Sequence, residues 1–481
     1  MSADIVRLQA ITQEIVDLAK KAISAGPTPL LPLAKDATTT GYLVGTGLQG
    51  YSLEAPAKSL YPVVTPLRNR TPRVGANIGS LAAHWRAITG VNVGKANPFI
   101  AWGTAGAQIQ VSEVDKTAAY KPLALGNVVQ MDAQTMARGF DDLRARAGVD
   151  TLYSLMIEEE RVLIGGSATA LATPGTITIT TSTTGGSIGA VNVGVKVAVR
   201  NVEGLTYSGV GISNSSAEAT SGLLSGTTNK LTVTVPAVRG AVQYDWYAGA
   251  AGGPWYFSQS TDVNTAVITS VPGSGTQAPT SDTSADANAF DGLLQQIADS
   301  TSGAYYKSLD GATLTGANGT IAEIDAMLLD LYQNKLISPT FMIMSPTQAF
   351  DLTNKVISTG GARMVIPLTD TGPRQEIVAG YVVAKYMNKS AGGQLVDILV
   401  APYWPTGRIA AVAERLPYPN TNITNVWEIE TQMEYTLIEY AMSRGAGATG
   451  GPRYEFEDRA IEVPKLYSPA TCGLIDNILK G

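Results

Sequence analysis

Apolar residues recur at helical spacing between Gln134 and Gly166, in the stretch QTMARGFDDLRARAGVDTLYSLMIEEERVLIGG. The apolar positions are Met136, Phe140, Leu143, Ala147, Leu152, Leu155, Met156, Val162 and Leu163. The opposite face is charged, and Gly165 and Gly166 follow it as helix stop signals do. The pattern predicts one amphipathic helix of roughly 45 Å at ~1.5 Å per residue, with Gly148 as its weak point. Taken alone, it is also compatible with a core helix of an ordinary enzyme.

The segments before this helix are shorter or irregular. A short amphipathic helix is predicted at residues 3–23. In residues 59–75, SLYPVVTPLRNRTPRVG, three prolines disfavour a helix and favour an extended arm. Residues 80–130 contain two strand-like runs, HWRAITGV and IQVSEVDKTAAYKPLAL, around a turn-rich loop. They predict a long two-stranded excursion, in which His84 is interpreted as a surface or interface residue.

Composition changes sharply after the helix. Residues 171–285 are rich in Thr, Ser, Gly and Val. Strand-like runs occur there at regular spacing: TPGTITITTSTT, VNVGVKVAVRNVEG, NKLTVTVPAV, VQYDWYAGAAGGPWYFSQ and NTAVITSV. This pattern is typical of a β-sandwich. The run VQYDWYAG resembles a central strand of fibronectin-III or bacterial Ig-like modules. The flanks ALATPG and GSGTQAPTSDTSADA are predicted to be flexible linkers, so the segment is interpreted as an inserted domain.

Helices and strands alternate again from Asn288 to the end of the chain. The clearest run is a helix from Ile321 to Leu336, a strand from Thr340 to Met344 and a helix from Pro346 to Ile357. Several strands follow it. The chain outside the insert is therefore predicted to be α+β.

Overall composition limits the possible chemistry. Charged residues make up 15% of the chain, below the ~25% typical of globular proteins, which favours a surface covered by self-association. One cysteine, Cys472, and one histidine, His84, exclude an internal disulfide and Cys-cluster or multi-His metal sites. The net charge of −6 gives no basic face for DNA at the level of the whole chain. With no signal-peptide or membrane-spanning pattern, we expect a protein made in a cytoplasm that stays soluble until it assembles.

Taken in their order along the chain, the segments outside the insert resemble those of the major capsid proteins of tailed phages, which have the Hong Kong 97-like fold. The resemblance rests on the arm, the excursion, the long helix ending in IEEERVLIGG, the segment TIAEIDAMLLDLYQNKLISPTFMIMSPTQAFDLTNKV, and the C-terminal runs WEIETQMEYTLIEYAMSRG and VPKLYSPATCGLI. It covers residues 60–170 and 287–481. The order and spacing of the parts carry it, since no single motif is specific.

The resemblance implies an α+β capsid fold with an inserted all-β Ig-like or fibronectin-III-like sandwich. Its parts would be an N-terminal helix and arm (1–75), an E-loop hairpin (76–130), the peripheral-domain spine helix (131–170), the insert (171–286), the axial domain (287–424), peripheral strands (425–463) and a C-terminal strand returning to the axial domain (464–481). The insert would stand on the outer surface.

The implied function is a self-assembling capsid subunit that forms hexamers and pentamers around viral double-stranded DNA, with no catalytic site, cofactor or metal. Implied partners are a portal and decoration proteins, with non-specific contact to packaged DNA and no membrane. Because only about 60 residues precede the arm, a separate scaffolding protein is expected rather than a cleaved scaffolding segment. Lys95, Lys116 and Lys121 lie in the excursion, but no partner for an isopeptide crosslink can be assigned.

Three sets of charged residues are candidates for contacts between subunits: Arg68, Arg70 and Arg73 on the arm, Glu158, Glu159 and Glu160 at the helix end, and Arg374 and Glu376 in the loop TDTGPRQE. The arm arginines could bind an acidic neighbour or nucleic acid, or simply solvate the arm. The glutamates could repel DNA or meet a neighbour's arginines, or form a solvated helix end. As consecutive helical residues they point in different directions and do not form an acid/base pair.

The sequence favours three other functions less. An Ig-domain surface adhesin would need a secretion signal or a repeat array. An encapsulin-like shell is normally shorter and has no insert. An enzyme is disfavoured by the single histidine and by the absence of GxGxxG, GxxxxGK[ST] and G-x-S-x-G motifs.

Overall fold

The computed structural model describes residues 64–76, 80–91, 97–106, 112–137, 142–207, 209–317, 319–360, 383–418, 423–440, 443–444 and 451–481. The helix expected at residues 3–23, Lys95, and the loop holding Arg374 and Glu376 lie outside the described residues. The chain divides into two compact units, one drawn from Met1–Ala83, Ala118–Glu160 and Glu428–Val463, the other from His84–Thr117, Arg161–Trp427 and Pro464–Gly481.

Helices and strands alternate in the predicted α+β manner, and this class is confirmed. The helices are α1 (Pro66–Arg70), α2 (Met131–Met136), α3 (Leu143–Gly165), α4 (Val202–Thr206), α5 (Leu293–Ala298), α6 (Ala322–Lys335) and α7 (Pro346–Gly360), with a 3-10 turn at Pro469–Thr471. The strands up to the end of the insert are β1 (Arg73–Gly75), β2 (Ala82–Gly90), β3 (Ser112–Ala119), β4 (Lys121–Gln130), β5 (Thr178–Ser182), β6 (Asn192–Arg200), β7 (Ala219–Leu223), β8 (Lys230–Thr234), β9 (Gln243–Ala250), β10 (Trp255–Thr261) and β11 (Thr265–Ile268). Those after it are β12 (Tyr305–Ser308), β13 (Gly316–Ala317), β14 (Thr320–Ile321), β15 (Phe341–Met344), β16 (Lys385–Asn388), β17 (Gln394–Val400), β18 (Ile409–Val412), β19 (Trp427–Glu439), β20 (Ser443–Arg444), β21 (Pro452–Leu466) and β22 (Gly473–Asp476).

The long helix begins later than its sequence pattern predicts. A start at Gln134 is wrong, because α2 ends at Met136 and α3 begins at Leu143. Asp142 Oδ1 accepts hydrogen bonds from the backbone N–H groups of Arg144 (3.2 Å) and Ala145 (3.3 Å), as an N-cap side chain does. The 23 residues of α3 span ~35 Å. The helix passes through Gly148 and ends at Gly165, as its glycine pair predicts.

A mixed sheet forms the centre of the first unit, in the order β1-β19-β21-β20, with β4 also paired to β21. Strand β1 is parallel to β19, and β4 runs antiparallel to β21 over ten residue pairs. The start of α3 packs on this sheet through an apolar cluster of Val129, Ala133, Leu143, Ala147 and Phe456. The arm is thereby part of the sheet, through β1.

The second unit contains a six-stranded sheet in the order β12-β22-β18-β15-β17-β16. The predicted helix–strand–helix segment is confirmed as α6, β15 and α7. All four residues of β15 are buried, as expected for a central strand. Helix α6 contacts β22 and buries Ile324, Met327, Leu328 and Leu331.

Two antiparallel sheets form the insert, one in the order β10-β9-β6-β7 and the other β11-β8-β5. They enclose one apolar core that includes Val195, Val197, Trp246, Leu231 and Val233. This is the two-layer sandwich arrangement that the sequence predicts. Strand β7, a polar edge strand, has no counterpart among the predicted strands.

The flanks of the insert are not free linkers, and that prediction is wrong. On the entry side, the N–H of Leu171 donates to Ser284 Oγ at 2.8 Å, and Leu171 is buried. On the exit side, the N–H of Phe257 donates to the carbonyl of Thr276 (2.8 Å), and that of Thr283 to the carbonyl of Ile212 (2.8 Å). Hydrogen bonds thus hold both flanks against the sandwich.

Candidate functional site: the arm cluster, the hairpin tip and the insert junction

The described part of the arm, residues 64–75, contains a short helix and a short strand. Pro66 lies at the start of α1, the helix position that tolerates proline because no intrahelical N–H is needed there. Leu67 is buried, and Thr71 Oγ1 donates to the Leu67 carbonyl at 2.8 Å. The prediction that the prolines forbid a helix is therefore wrong at Pro66.

Two arginines of the arm meet carboxylates of α3 and β21 within the same unit. Arg68 Nε donates to Glu159 Oε2 at 2.6 Å, and Arg73 Nη1 donates to Glu159 Oε1 at 2.5 Å. Arg73 Nη2 also donates to Glu462 Oε2. Both guanidinium groups stack on the ring of Tyr435, with centroid distances of 5.1 and 5.0 Å. These side chains form what we call the arm cluster.

The arm cluster is buried, which changes the interpretation of its charges. Only 8% of Arg73 and 1% of Glu159 are exposed. Burial works to lower the pKa of Arg73, but the surrounding glutamates Glu159, Glu462 and Glu434 raise it above its ordinary value. The alternatives of a solvated arm and a solvated helix end are wrong for these residues. Their partners lie in their own chain because the fold brings α3 and β21 against the arm.

Glu160 performs a separate task next to the arm cluster. Its carboxylate accepts hydrogen bonds from the backbone N–H groups of Leu67 (3.0 Å) and Arg68 (2.6 Å), the second and third residues of α1. It therefore caps α1 from another element, satisfying N–H groups that have no partner inside the helix. Burial raises the pKa of Glu160 to about 7, and these two N–H groups offset part of the rise.

The structure describes two further charged candidates. Arg70 and Glu158 are half-buried. A role of any of these charged residues between subunits stays a prediction. Sequence reasoning selected Arg68, Arg73, Glu159 and Glu160 but missed Glu462 and Tyr435. Glu462 lies in β21, where buried and half-buried residues alternate. A charged residue at a position that the alternation predicts to be buried is the sequence signal that could have identified it.

Strands β2 and β3 pair in a hairpin within the excursion, and residues 84–117 of it are held by contacts inside the second unit, to which they belong. Trp85 Nε1 donates to the Leu466 carbonyl at 3.2 Å, and the N–H of Ile88 donates to the Tyr467 carbonyl at 2.8 Å. Lys116 pairs with Asp299 at 2.8 Å. His84 is exposed and its Nδ1 lies 2.9 Å from Thr117 Oγ1, in agreement with a surface role.

Residues 97–106, between β2 and β3, expose large apolar side chains. Phe99 is 87% exposed, Ile100 54% and Trp102 104%. Its sequence, NPFIAWGTAG, contains no charged residue. We call these ten residues the hairpin tip. A cluster of large exposed apolar side chains typically marks an interaction site rather than an ordinary solvated loop.

A buried ion pair joins the insert to the neighbouring sheet. Arg408 Nε lies 2.9 Å from Asp476 Oδ1, and each side chain is 1% exposed. The same guanidinium donates to the carbonyls of Val242 (3.0 Å) and Ala241 (2.6 Å) in the insert. Burial raises the pKa of Asp476 above its ordinary value, and Arg408 opposes that rise. The insert is therefore docked through hydrogen bonds to a buried cation.

Two further features are not found within the described ranges. No group of three His, Cys, Asp or Glu side chains there is arranged to hold a metal ion. No helix of that part of the chain combines the length and apolar character needed to span a membrane.

The sequence matches no protein-family model and no curated protein. Among solved structures, it is similar to the Cyanophage A-1(L) capsid at 12% identity, covering 90% of this chain and 98% of that one, with a TM-score of 0.45. A Mycobacterium phage Bobi structure is 9% identical over 89% and 95%, with a TM-score of 0.42. An encapsulin complex from Synechococcus elongatus is 8% identical over 86% of both chains, with a TM-score of 0.38.

Proposed function

We propose that this chain is the major capsid protein of a tailed phage, a structural subunit that assembles into the hexamers and pentamers of an icosahedral shell around double-stranded DNA. The observation that carries the proposal is the hairpin tip. Phe99, Ile100 and Trp102 expose apolar surface on an uncharged segment whose base is fixed by hydrogen bonds. Such a tip suits a contact with the next subunit.

Symmetric assembly explains why the tip is exposed in a single chain. In a head-to-tail arrangement each subunit contacts a different surface of its neighbour, so a projecting group on one chain is covered by the next. Burying apolar surface contributes ~25 cal/mol per Å², and the absence of charge on the tip removes the cost of desolvating ions. The tip would thus stabilise the shell without enlarging the subunit core.

The remaining parts of the proposal follow from the sequence resemblance. The subunits would assemble in the host cytoplasm with a separate scaffolding protein, and join a portal and decoration proteins in the virion. The sandwich would be an Ig-like domain on the outer surface. An encapsulin-like shell is the alternative, and the particle's contents separate the two, since a capsid encloses DNA and an encapsulin encloses protein.

Electron microscopy of the purified protein tests the proposal. We expect hexamers, pentamers or shells in negative stain, and we expect Trp102→Asp to prevent assembly while circular dichroism stays unchanged. Trp102→Phe is the matched control, because it keeps a large, uncharged aromatic side chain at the same position and should still assemble. Persistent monomers at high concentration, even with a scaffolding partner, or normal shells from Trp102→Asp would contradict the proposal.

A further inference from the structure

The charges of the arm cluster and its neighbours do not balance. Two guanidinium groups, those of Arg68 and Arg73, face four carboxyl groups. The carboxyl groups belong to Glu159, Glu160, Glu434 and Glu462. Three of these four residues are almost completely buried, at 1%, 0% and 0% exposure for Glu159, Glu160 and Glu462, while the side chain of Glu434 is 44% exposed. Unpaired ionised carboxylates are costly to bury, so one of the buried groups is best accommodated as the neutral acid.

Hydrogen bonding indicates which group holds the proton. Glu159 uses both oxygens to accept from arginines, and Glu160 uses both to accept from backbone N–H groups. Glu462 accepts from Arg73 through Oε2, but its buried Oε1 has no hydrogen-bond partner among the described residues. A proton on Glu462 removes the surplus negative charge at the carboxyl group that, among the three almost completely buried ones, has no second donor.

We propose that the arm is held by a proton-dependent latch, in which Glu462 is neutral while the arm is docked and its deprotonation loosens residues 64–76. Deprotonation puts a further negative charge beside Glu159 in a buried site. The two carboxylates then repel each other and compete for Arg73. The arm supplies both arginines, so it is the element whose attachment weakens.

The surroundings of Glu462 support this order of events. Burial raises the pKa of Glu462, Glu159 raises it further, and Arg73 and Arg68 oppose the rise. The charged or titratable groups at the latch are Arg68 and Arg73 from the arm, Glu159 and Glu160 from α3, Glu434 and Tyr435 from β19, and Asp458 four residues earlier on the same face of β21. Burial also raises the pKa of Asp458, to about 6. Burial thus favours the neutral form of Glu160 and Asp458 as well as that of Glu462.

The direction of the pH effect follows from the raised pKa. A carboxyl group whose pKa is higher in the docked state than in the free chain, where it is ~4.3, binds its proton more tightly when docked. Its contribution is complete at acid pH and is lost as the pH rises through the raised value. Between the free-chain pKa of ~4.3 and the raised value, the attachment of the arm should therefore weaken by up to about tenfold per pH unit, and the loss should level off once Glu462 is ionised in the docked state.

Amide hydrogen exchange on the full chain tests the latch. The protection factors of the N–H groups of Leu67 and Arg68, corrected for the intrinsic rate at each pH, are measured from pH 6 to pH 9. We expect a loss of at least tenfold in the native protein. Glu462→Gln keeps a neutral side chain of the same shape and should remove most of the pH dependence. Glu434→Gln, at the half-exposed carboxylate 3.7 Å from Arg73 Nε, should keep it.

Each outcome decides the proposal. Protection that falls with pH in the native chain and in Glu434→Gln but stays level in Glu462→Gln supports the latch. Constant protection in the native chain overturns it, as does an equal fall in Glu462→Gln. A fall abolished equally by Glu434→Gln also overturns it, because general surface charge would then be responsible. Far-ultraviolet circular dichroism of each variant shows that the chain remains folded.

Discussion

Replacing Arg408 by methionine tests how the insert is attached. The native side chain is 1% exposed and contacts Asp476, the carbonyls of Ala241 and Val242, and the carbonyl of Thr406 at 2.7 Å. Methionine fills similar space but donates no hydrogen bond. The variant therefore leaves Asp476 without its cation and two carbonyls of the insert without their donor.

The expected loss of stability can be derived from these contacts. Breaking a buried ion pair by removing one partner typically costs ~3–5 kcal/mol, because the other charge remains buried. Asp476 keeps the hydroxyl of Tyr306 (3.0 Å) and the N–H of Asn477 (2.8 Å) as donors, which limits the penalty. Protonation of Asp476 limits it further, since burial already raises its pKa. We therefore expect the free energy of unfolding to fall by about 3 kcal/mol, the lower end of that range.

Urea unfolding followed by circular dichroism measures the effect. The double variant Arg408→Met with Asp476→Asn removes both charges and should recover part of the loss, because no buried ion remains unpaired. Arg200→Met is a matched control, since Arg200 pairs with buried Asp245 at 2.5 Å but its own side chain is 31% exposed, so water can replace it. If the free energy of unfolding of Arg408→Met lies within about 1 kcal/mol of the native value, Arg408 does not hold the insert in place as argued.

Two further predictions concern the same region. Deleting residues 172–284 and joining the ends with a short Gly/Ser bridge removes the backbone acceptors of Arg408. The rest of the chain should then lose its cooperative unfolding transition, whereas an independent, linker-tethered insert could be removed without this effect. An unchanged unfolding transition of the remaining chain would contradict the prediction. Replacing Gly165 by alanine places Cβ 2.2 Å from Val202 Cγ2 and should destabilise the chain by ~1–3 kcal/mol through overpacking. The control Gly148→Ala meets open space in the same helix and should stabilise it by ~0.5–1 kcal/mol, with both changes read from denaturant midpoints.

The regular elements were predictable from hydrophobic periodicity because they bury a continuous stripe. Helix α6 and strand β15 lie within one residue of their predicted limits. Periodicity alone places the start of α3 too early, because apolar spacing continues upstream through Phe140. The local signal for the observed start is the capping side chain of Asp142. Strand β7 was missed because its sequence, ATSGL, is short and polar and pairs only at the edge of its sheet.

The arm cluster could be predicted only as a set of residues. Glu159 and Arg68 are 91 positions apart, and Arg73 and Glu462 are 389 positions apart. No local pattern indicates such pairs, since they depend on the order of strands in the sheet. The flanks of the insert illustrate the same limit. Serine and threonine suit both a flexible linker and a hydrogen-bonded edge, and only the partners of Leu171 and Thr283 distinguish them.

The burial of several charged side chains makes the surface even poorer in charge than the composition indicates. The chain is only 15% charged, and several of those charges, including Arg73, Glu159, Glu462, Arg408 and Asp476, are buried inside the fold. Fewer ions therefore remain on the surface than the composition alone suggests. Because desolvating ions is a main cost of forming an interface, a surface poor in charge is inexpensive to cover. The uncharged hairpin tip is the part of the described chain where this matters most, and it is where we expect the contact between subunits to form.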